Sequence, residues 1–360
     1  MDGVINVLKP AGMTSFDVVA HIRRMTRIMK IGHGGTLDPA ATGVLPICIG
    51  MATKLSDYIN SIKKSYRAEI LFGVSTDSID LDGAVVRAVR ITTPERRKLE
   101  SVIAGFVGEQ LQTPPVYSAL KVGGKRMCDL AREGVMIDRE PRTITIYGIS
   151  LEWVMNGRAV ISVECSKGTY IRSICNDIGR MLGIDACMSF LIRTSAAGLR
   201  IENAYTLELL EDLNAAGELS KALIPVEDML TCYERCALNN TQMRRFLNGA
   251  DVFTDEVEPS QPVRVDEGDM LACYERCSLN NTQMRRFLNG ADEISDEVEP
   301  SQPVRVDEGV RISDNKGDRN GENLVRVYDV DGAFYALGKI LFNEGREVLR
   351  MKRLFRKGGD

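Results

Sequence analysis

The chain has 360 residues, 44% of them hydrophobic and 27% charged, the balance of a globular protein of about two domains. No run approaches the ~18 consecutive apolar residues of a membrane span, and the N-terminus opens with neither a basic lead nor a long apolar stretch, so neither an anchor nor a leader is expected. The formal net charge of −4 arises in residues 229–310, which carry −8, whereas residues 1–228 carry +1 and residues 311–360 carry +3, so a polyanionic partner is not excluded.

Thr14 and Ser15 precede apolar residues at helical spacing, Phe16, Val19, Ile22 and Met25. Thr14 with Asp17 makes a capping pair, which predicts a helix from about Phe16 to Met29. Its other face carries Arg23, Arg24, Arg27 and Lys30, by themselves a solvated basic face. The helix runs into a glycine-rich loop from Ile31 to Gly43 that holds His33 and Asp38. Pro39 biases Asp38 towards an extended backbone, so one carboxylate sits on a rigid turn beside a histidine and a cationic helix. That makes Asp38 a candidate nucleophile or base. His21 and His33 are the only histidines, which excludes a metal site built on several of them. Gly123-Gly124-Lys125-Arg126 lacks the upstream glycine and the hydroxyl of a phosphate-binding loop. Asp80-Leu81-Asp82-Gly83 lacks a calcium loop's closing glutamate, because Val89 stands there.

Lys63 to Gly73 reads as a basic turn leading into a strand, followed by an acidic turn from Thr76 to Gly83; Tyr66 alone reads as core or rim. Val160 to Cys165 alternates like a strand, and Ile174, Ile178, Met181 and Leu182 have helical spacing. Lys167 to Arg172 therefore lies at a strand-to-helix junction. There Tyr170 and Arg172 either stack a base and pair a carboxylate, or pack on each other structurally.

Residues 229–269 recur as residues 270–310 with only six of 41 positions changed. Two near-identical copies are a duplicated segment rather than a solenoid. In each copy a capping asparagine precedes a short helix, with Met243, Phe246 and Leu247 on one face and Gly249 at its end in the first, and Met284, Phe287, Leu288 and Gly290 in the second. Cys232, Cys236, Cys273 and Cys277 resemble two zinc-ligand pairs, but copying one pair produces four cysteines without four ligands being required. All nine cysteines read as reduced thiols of a cytoplasmic protein.

Six ordered motifs carry a resemblance. They are Lys9-Pro-Ala-Gly-Met-Thr-Ser15, Gly32 to Pro46 around His33 and Asp38, Lys64-Ser-Tyr-Arg67, Thr76-Asp-Ser-Ile-Asp80, Thr113 to Lys121, and Ser166 to Arg172. Together they resemble the bacterial TruB family of tRNA pseudouridine-55 synthases. The resemblance implies an α+β pseudouridine-synthase fold, a mainly antiparallel mixed sheet flanked by helices, with a small C-terminal PUA-like β domain. It divides the chain into a catalytic domain at 1–228, the tandem duplication at 229–310, and the remainder of the RNA-binding domain at 311–360.

The implied reaction detaches uracil from ribose C1′, rotates it and rejoins it through C5. Nothing is oxidised or hydrolysed, so no cofactor and no metal are expected. By resemblance Asp38 is the nucleophile, Arg172 its ion-pair partner, and Tyr66 the ring stacked on the base and a candidate acceptor of the C5 proton. Tyr170 and Leu191 line the uridine pocket, Asp80 belongs to the acidic network, and His33 enters the RNA loop vacated by the target base. Arg23, Arg27, Lys30 and Lys64 become candidate contacts to the RNA backbone, with Lys63, Lys121, Lys125 and Arg126 as further candidates. The expected partner is the T-arm stem-loop of tRNA, bound by a monomer in the cytoplasm. A second reading, a tRNA-binding or folding protein without chemistry, stays open. The duplication departs from the family, and one copy is expected to dock while the other is held loosely.

Overall fold

The structure, a computed structural model, describes residues 1–118, 121–122, 125–127, 139–253, 323–343 and 346–355. The chain divides into two units, Met1–Ile224 and Pro225–Asp360. Among the described residues no helix is long and apolar enough to cross a membrane.

The first unit is built on one mixed sheet. Its strands are β1 (Gly3–Lys9), β2 (Ile31–His33), β3 (Thr42–Ile49), β4 (Lys64–Phe72), β7 (Gly108–Gln112), β8 (Arg142–Met155), β9 (Arg158–Cys165) and β10 (Ala186–Ala196); a hairpin of β5 (Val74–Thr76) and β6 (Val85–Ala88) stands apart. The order across the sheet is β1-β3-β10-β4-β9-β8-β7, with β2 paired to β3. Every named pair is antiparallel except β3 with β10, where Ile192 meets Thr42 and Arg193 meets Gly43. The buried apolar residues of β4 alternate, with Tyr66, Ala68, Ile70 and Phe72 on one face, as a half-buried strand requires. The architecture is thus the expected α+β, mainly antiparallel sheet flanked by helices.

Two helices, α2 (Arg96–Ala104) and α3 (Ile171–Leu182), close one core, where Leu99, Ile103, Ile174 and Ile178 pack with Ile70, Ile146, Ile161 and Val163. The first helix, α1 (Ser15–Thr26), and α4 (Leu207–Ala215) close another, where Val18, Ile22 and Leu210 meet Ile5, Val7, Leu45 and Ile47. Thr14 and Asp17 form the full capping box. The helix stops three residues short of its expected end because Arg27 turns left-handed and sends its N–H to the Arg23 carbonyl. Phe16 has the helical spacing of the buried face but is exposed. Ser15, Val18, Val19 and Ile22 fill that face, and the Arg23 guanidinium lies 5.6 Å over the Phe16 ring. Met181 is likewise exposed, because α3 buries Ile171, Ile174, Cys175, Ile178 and Leu182.

In the second unit, β11 (Glu234–Ala237), α5 (Asn240–Leu247) and β12 (Val252–Phe253) come from the first copy of the duplication. They join β13 (Leu324–Tyr328), β14 (Phe334–Asn343) and β15 (Arg346–Leu354) in a five-stranded sheet ordered β11-β13-β14-β15-β12. Asn239 caps α5 with a second capping box. Cys236, Leu238, Met243, Phe246 and Val252 pack with Val325, Val327, Ile340 and Leu349. Burial pushes the Cys236 thiol up to about 12, so it sits in the core as a neutral thiol. The described residues of the first copy, 229–253, are therefore an integral part of this β unit. The second copy, with Cys273, Cys277, Met284, Phe287, Leu288 and Gly290, lies outside the described residues.

Candidate active site

The loop that carries Asp38 is gripped from the first sequence motif. Ser15 accepts the Leu37 N–H through its Oγ at 2.8 Å and donates to the Leu37 carbonyl at 3.3 Å. Gly12 donates its N–H to the Pro39 carbonyl at 2.9 Å. Lys9 is fully buried, and its ammonium donates to the carbonyls of Pro10, Pro39 and Ala41 at 2.7, 3.1 and 2.7 Å. Lys9, Gly12 and Ser15 thus act as the clamp that sets the position of Asp38. Burial lowers the Lys9 pKa to about 8, with the nearby Asp38 charge opposing the fall. Lys9→Met removes a buried ammonium bonded to three carbonyls at once. It is expected to cost about 2 kcal/mol of stability and to slow the chemistry more than it weakens RNA binding; thermal melts and single-turnover rates check this.

The second grip comes from α3. Its first turn places Arg172, whose side chain is only 5% exposed, under the Asp38 carboxylate. Arg172 Nε lies 3.0 Å from Asp38 Oδ2, and Nη1 lies 3.3 Å from Asp80 Oδ2. Nη1 also donates to the Ser78 carbonyl at 3.2 Å and Nη2 to the Tyr117 carbonyl at 2.9 Å. A guanidinium so spent is fixed in direction, which a lysine could not reproduce. Asp80 is itself pinned in a turn, where its carboxylate accepts from Ser78 Oγ and the Asp82 N–H and its carbonyl accepts from Thr76 Oγ1.

Asp38 remains 40% exposed, so its side chain is accessible from solvent. Desolvation raises its pKa above 3.8; Arg172 opposes this, and Asp80 and Asp82 add to it. Tyr66 and Leu191 sit in the same apolar cluster as Leu37 and Ala41, on either side of Asp38 in sequence. Burial raises the pKa of both Tyr66 and Tyr170, and the Asp38 charge reaches both phenols. Asp38, Arg172, Asp80, Tyr66, Tyr170 and Leu191 therefore share one neighbourhood. His33 ends β2 opposite Ile47, with its Nδ1 buried and unpartnered among the described residues. Burial, with Arg193 assisting, keeps its pKa below 6.5.

Three residues were missed or misjudged. Gln112 is buried, accepts the Tyr170 N–H at 2.8 Å and donates to the Tyr170 carbonyl at 3.1 Å, fixing the start of α3; nothing local marks a residue 58 positions away. Arg193 is fully buried and bonds the Asp38 loop, yet the sequence showed only its neighbour Leu191. Lys64 is a correction. It was expected to meet the RNA backbone, but it is buried, and its ammonium donates to the carbonyls of Asn60 and Ile62 at 2.9 and 3.2 Å. Of the basic residues on and just after α1, Arg27 and Lys30 are exposed, whereas Arg23 donates to the Ile31 carbonyl at 2.7 Å. The side chains of Lys121, Lys125 and Arg126 lie outside what the structure describes.

The chain is similar to several known proteins. The family model described as TruB family pseudouridylate synthase, N-terminal domain, matches residues 23–171. One described as tRNA pseudouridylate synthase B, C-terminal domain, matches residues 172–231. The chain is 42% identical over 255 residues to the tRNA pseudouridine synthase B of Alkaliphilus oremlandii, covering 71% of this chain and 84% of that protein. It is 44% identical over 274 residues to that of Clostridium perfringens strain 13, covering 74% and 92%. The fold is similar to a chain in the crystal structure of a Cbf5-Nop10-Gar1 complex, with a TM-score of 0.64 at 23% identity over 98% of this chain and 85% of that one.

Proposed function

The chain belongs to the TruB family of pseudouridylate synthases, and from that premise we propose that this isomerase of tRNA converts uridine-55 in the T-loop, with Asp38 as the nucleophile. The observation that carries the residue assignment is the Asp38 carboxylate, 40% exposed yet held 3.0 Å from the buried Arg172 guanidinium. An ionised, oriented carboxylate beside two neutral phenols suits attack on a sugar carbon.

Asp38 attacks C1′, an ester bond forms, and the C1′–N1 pair leaves with the uracil as an anion. The base turns, C5 attacks C1′, and the ester pair returns to Asp38. Tyr66 first releases its phenol proton to water and then takes the C5 proton as a phenolate, the C5–H pair restores the ring double bond, and N1 takes a proton from water. Tyr170 and Leu191 bound the uridine, and Asp80 holds Arg172 in place. Uncharged His33 fills the gap left in the RNA loop, which offsets part of the cost of extrusion. Arg27 and Lys30 contact phosphates, so binding weakens as salt rises. The β unit at residues 225–360 serves as a PUA-like RNA-binding module, and the enzyme acts as a monomer.

The test offers an isolated T-arm stem-loop and a whole unmodified tRNA, and maps pseudouridine in each. Conversion of the stem-loop at position 55 alone supports the proposal; conversion only in whole tRNA, or at another uridine, contradicts it. Because Asp38 titrates above its ordinary value, the rate should fall on acidification with a midpoint above 3.8.

A further inference from the structure

Arg193 is the largest fully buried side chain among the described residues. No carboxylate lies within ion-pair distance of it there. A buried cation without a counter-charge is costly and calls for a reason. Three of its N–H groups go to main-chain carbonyls around the nucleophile loop: Nε to Val44 at 2.7 Å, Nη1 to Thr36 at 3.3 Å and Nη2 to Gly35 at 3.1 Å. They bracket Asp38 from both sides in sequence.

The loop's glycines are shaped around this residue. Gly43 has φ +107°, and a Cβ there would stand 2.2 Å from the Arg193 carbonyl oxygen, so the close parallel joint of β3 and β10 needs glycine. Gly35 has φ +117°, and its Cβ would meet Lys64 and the Arg193 guanidinium. Across the antiparallel pair of β10 and β4, Arg193 stands directly opposite Tyr66. Opposed residues share a face and lie within reach of each other.

We propose that Arg193 is a positioning residue for the isomerisation, aligning the Tyr66 ring with the Asp38 loop and balancing the negative charge of the Tyr66 phenolate until it takes the C5 proton. The proposal rests on the reading of Tyr66 given above. Burial raises the Tyr66 pKa; Arg193 opposes that rise as a charge and as a hydrogen-bond donor, whereas Cys165 and Asp38 add to it. Lys9 and Lys64 stand nearby; burial lowers both to about 8, and the Arg193 charge adds to the fall. The lysines can give up their protons there, and the guanidinium does not.

The test compares Arg193→Lys and Arg193→Met with the unaltered chain. One arm labels tyrosine with 13C at Cζ and assigns Tyr66 by its loss in Tyr66→Phe. The other follows single-turnover release of C5 tritium from tRNA across pH, with RNA affinity measured alongside. Both variants should displace the Tyr66 resonance. Arg193→Met should slow the chemical step roughly 100-fold and Arg193→Lys roughly 10-fold, with RNA affinity held. The rising alkaline limb should move to higher pH only when the charge is lost. An unmoved Tyr66 resonance, or a lost rate with an unshifted limb in Arg193→Met, overturns the proposal. If Arg193→Met fails to fold, Arg193→Lys decides through its resonance and its rate at constant affinity. If the unaltered chain releases no tritium, the reading of the reaction fails, and the resonance still decides whether Arg193 holds Tyr66.

Discussion

Arg172→Met is expected to abolish isomerisation and to lower stability by about 3 kcal/mol near neutral pH. The figure takes the low end of the range for a broken buried ion pair, because Asp38 keeps 40% of its side chain exposed and water screens it. The variant leaves Asp38 and Asp80 facing one another without the cation that lies 3.0 and 3.3 Å from them. Methionine fills a similar volume, so the loss is one of charge and direction more than of packing. The pH dependence has a definite sign. The Asp38 pKa is already raised, and Arg172 is the strongest influence holding it down. Removing Arg172 raises it further, so the folded chain holds a proton that the unfolded chain releases. A carboxyl with a raised folded pKa contributes stability at low pH that is lost as pH rises through that value. The deficit against the unaltered chain should therefore shrink on acidification towards the ordinary value of 3.8 and grow towards pH 7. Denaturant melts at several pH values check this, and a deficit independent of pH contradicts it.

The second large effect comes from the duplication, through a pair of deletions. Removing residues 270–310 leaves the first copy, whose α5 and β12 are built into the second unit, and should leave both the melt and the isomerisation unchanged. Removing residues 229–269 instead offers the second copy for the same place. The two differ at six positions, and one decides the outcome: the counterpart of Val252 is Glu293. Val252 is fully buried and paired with Leu349 in the core. A glutamate there must be buried or break the pairing, at a cost of about 3–5 kcal/mol. The counterpart of Phe253 is Ile294, which forfeits the Arg346 guanidinium now 3.8 Å above the ring. The second deletion should thus melt at lower temperature and bind RNA more weakly, while any RNA it does bind is still converted by the first unit. Equal behaviour of the two deletions contradicts this assignment.

Sequence patterns proved most informative where the cause was local. The capping box of Thr14 and Asp17, the strand-to-helix junction at Arg172, the helix after Asn239 and the rigid turn at Asp38 all depend on neighbours within a few residues. Long-range choices were not legible. Lys64 has the sequence surroundings of a surface cation, yet the turn before β4 folds its ammonium onto the Asn60 and Ile62 carbonyls. Arg193 follows Leu191 in an alternating strand, and only the parallel joint of β10 with β3 turns its guanidinium onto the Asp38 loop. Gln112 is unremarkable until β7 brings it to the N-terminus of α3. The second copy of the duplication differs from the first by a single decisive carboxylate, whose meaning depends on knowing that Val252 is buried.

The most direct test of the account is tritium release from uridine C5 of an unmodified tRNA transcript, comparing the unaltered chain with Asp38→Asn. Asparagine keeps the shape of the side chain and removes its nucleophilic charge. The account predicts about one label released per tRNA by the unaltered chain, no free uracil, and none released by Asp38→Asn, which should still bind the tRNA and melt at or above the temperature of the unaltered chain. Release by Asp38→Asn at the rate of the unaltered chain, or the appearance of free uracil, would contradict it.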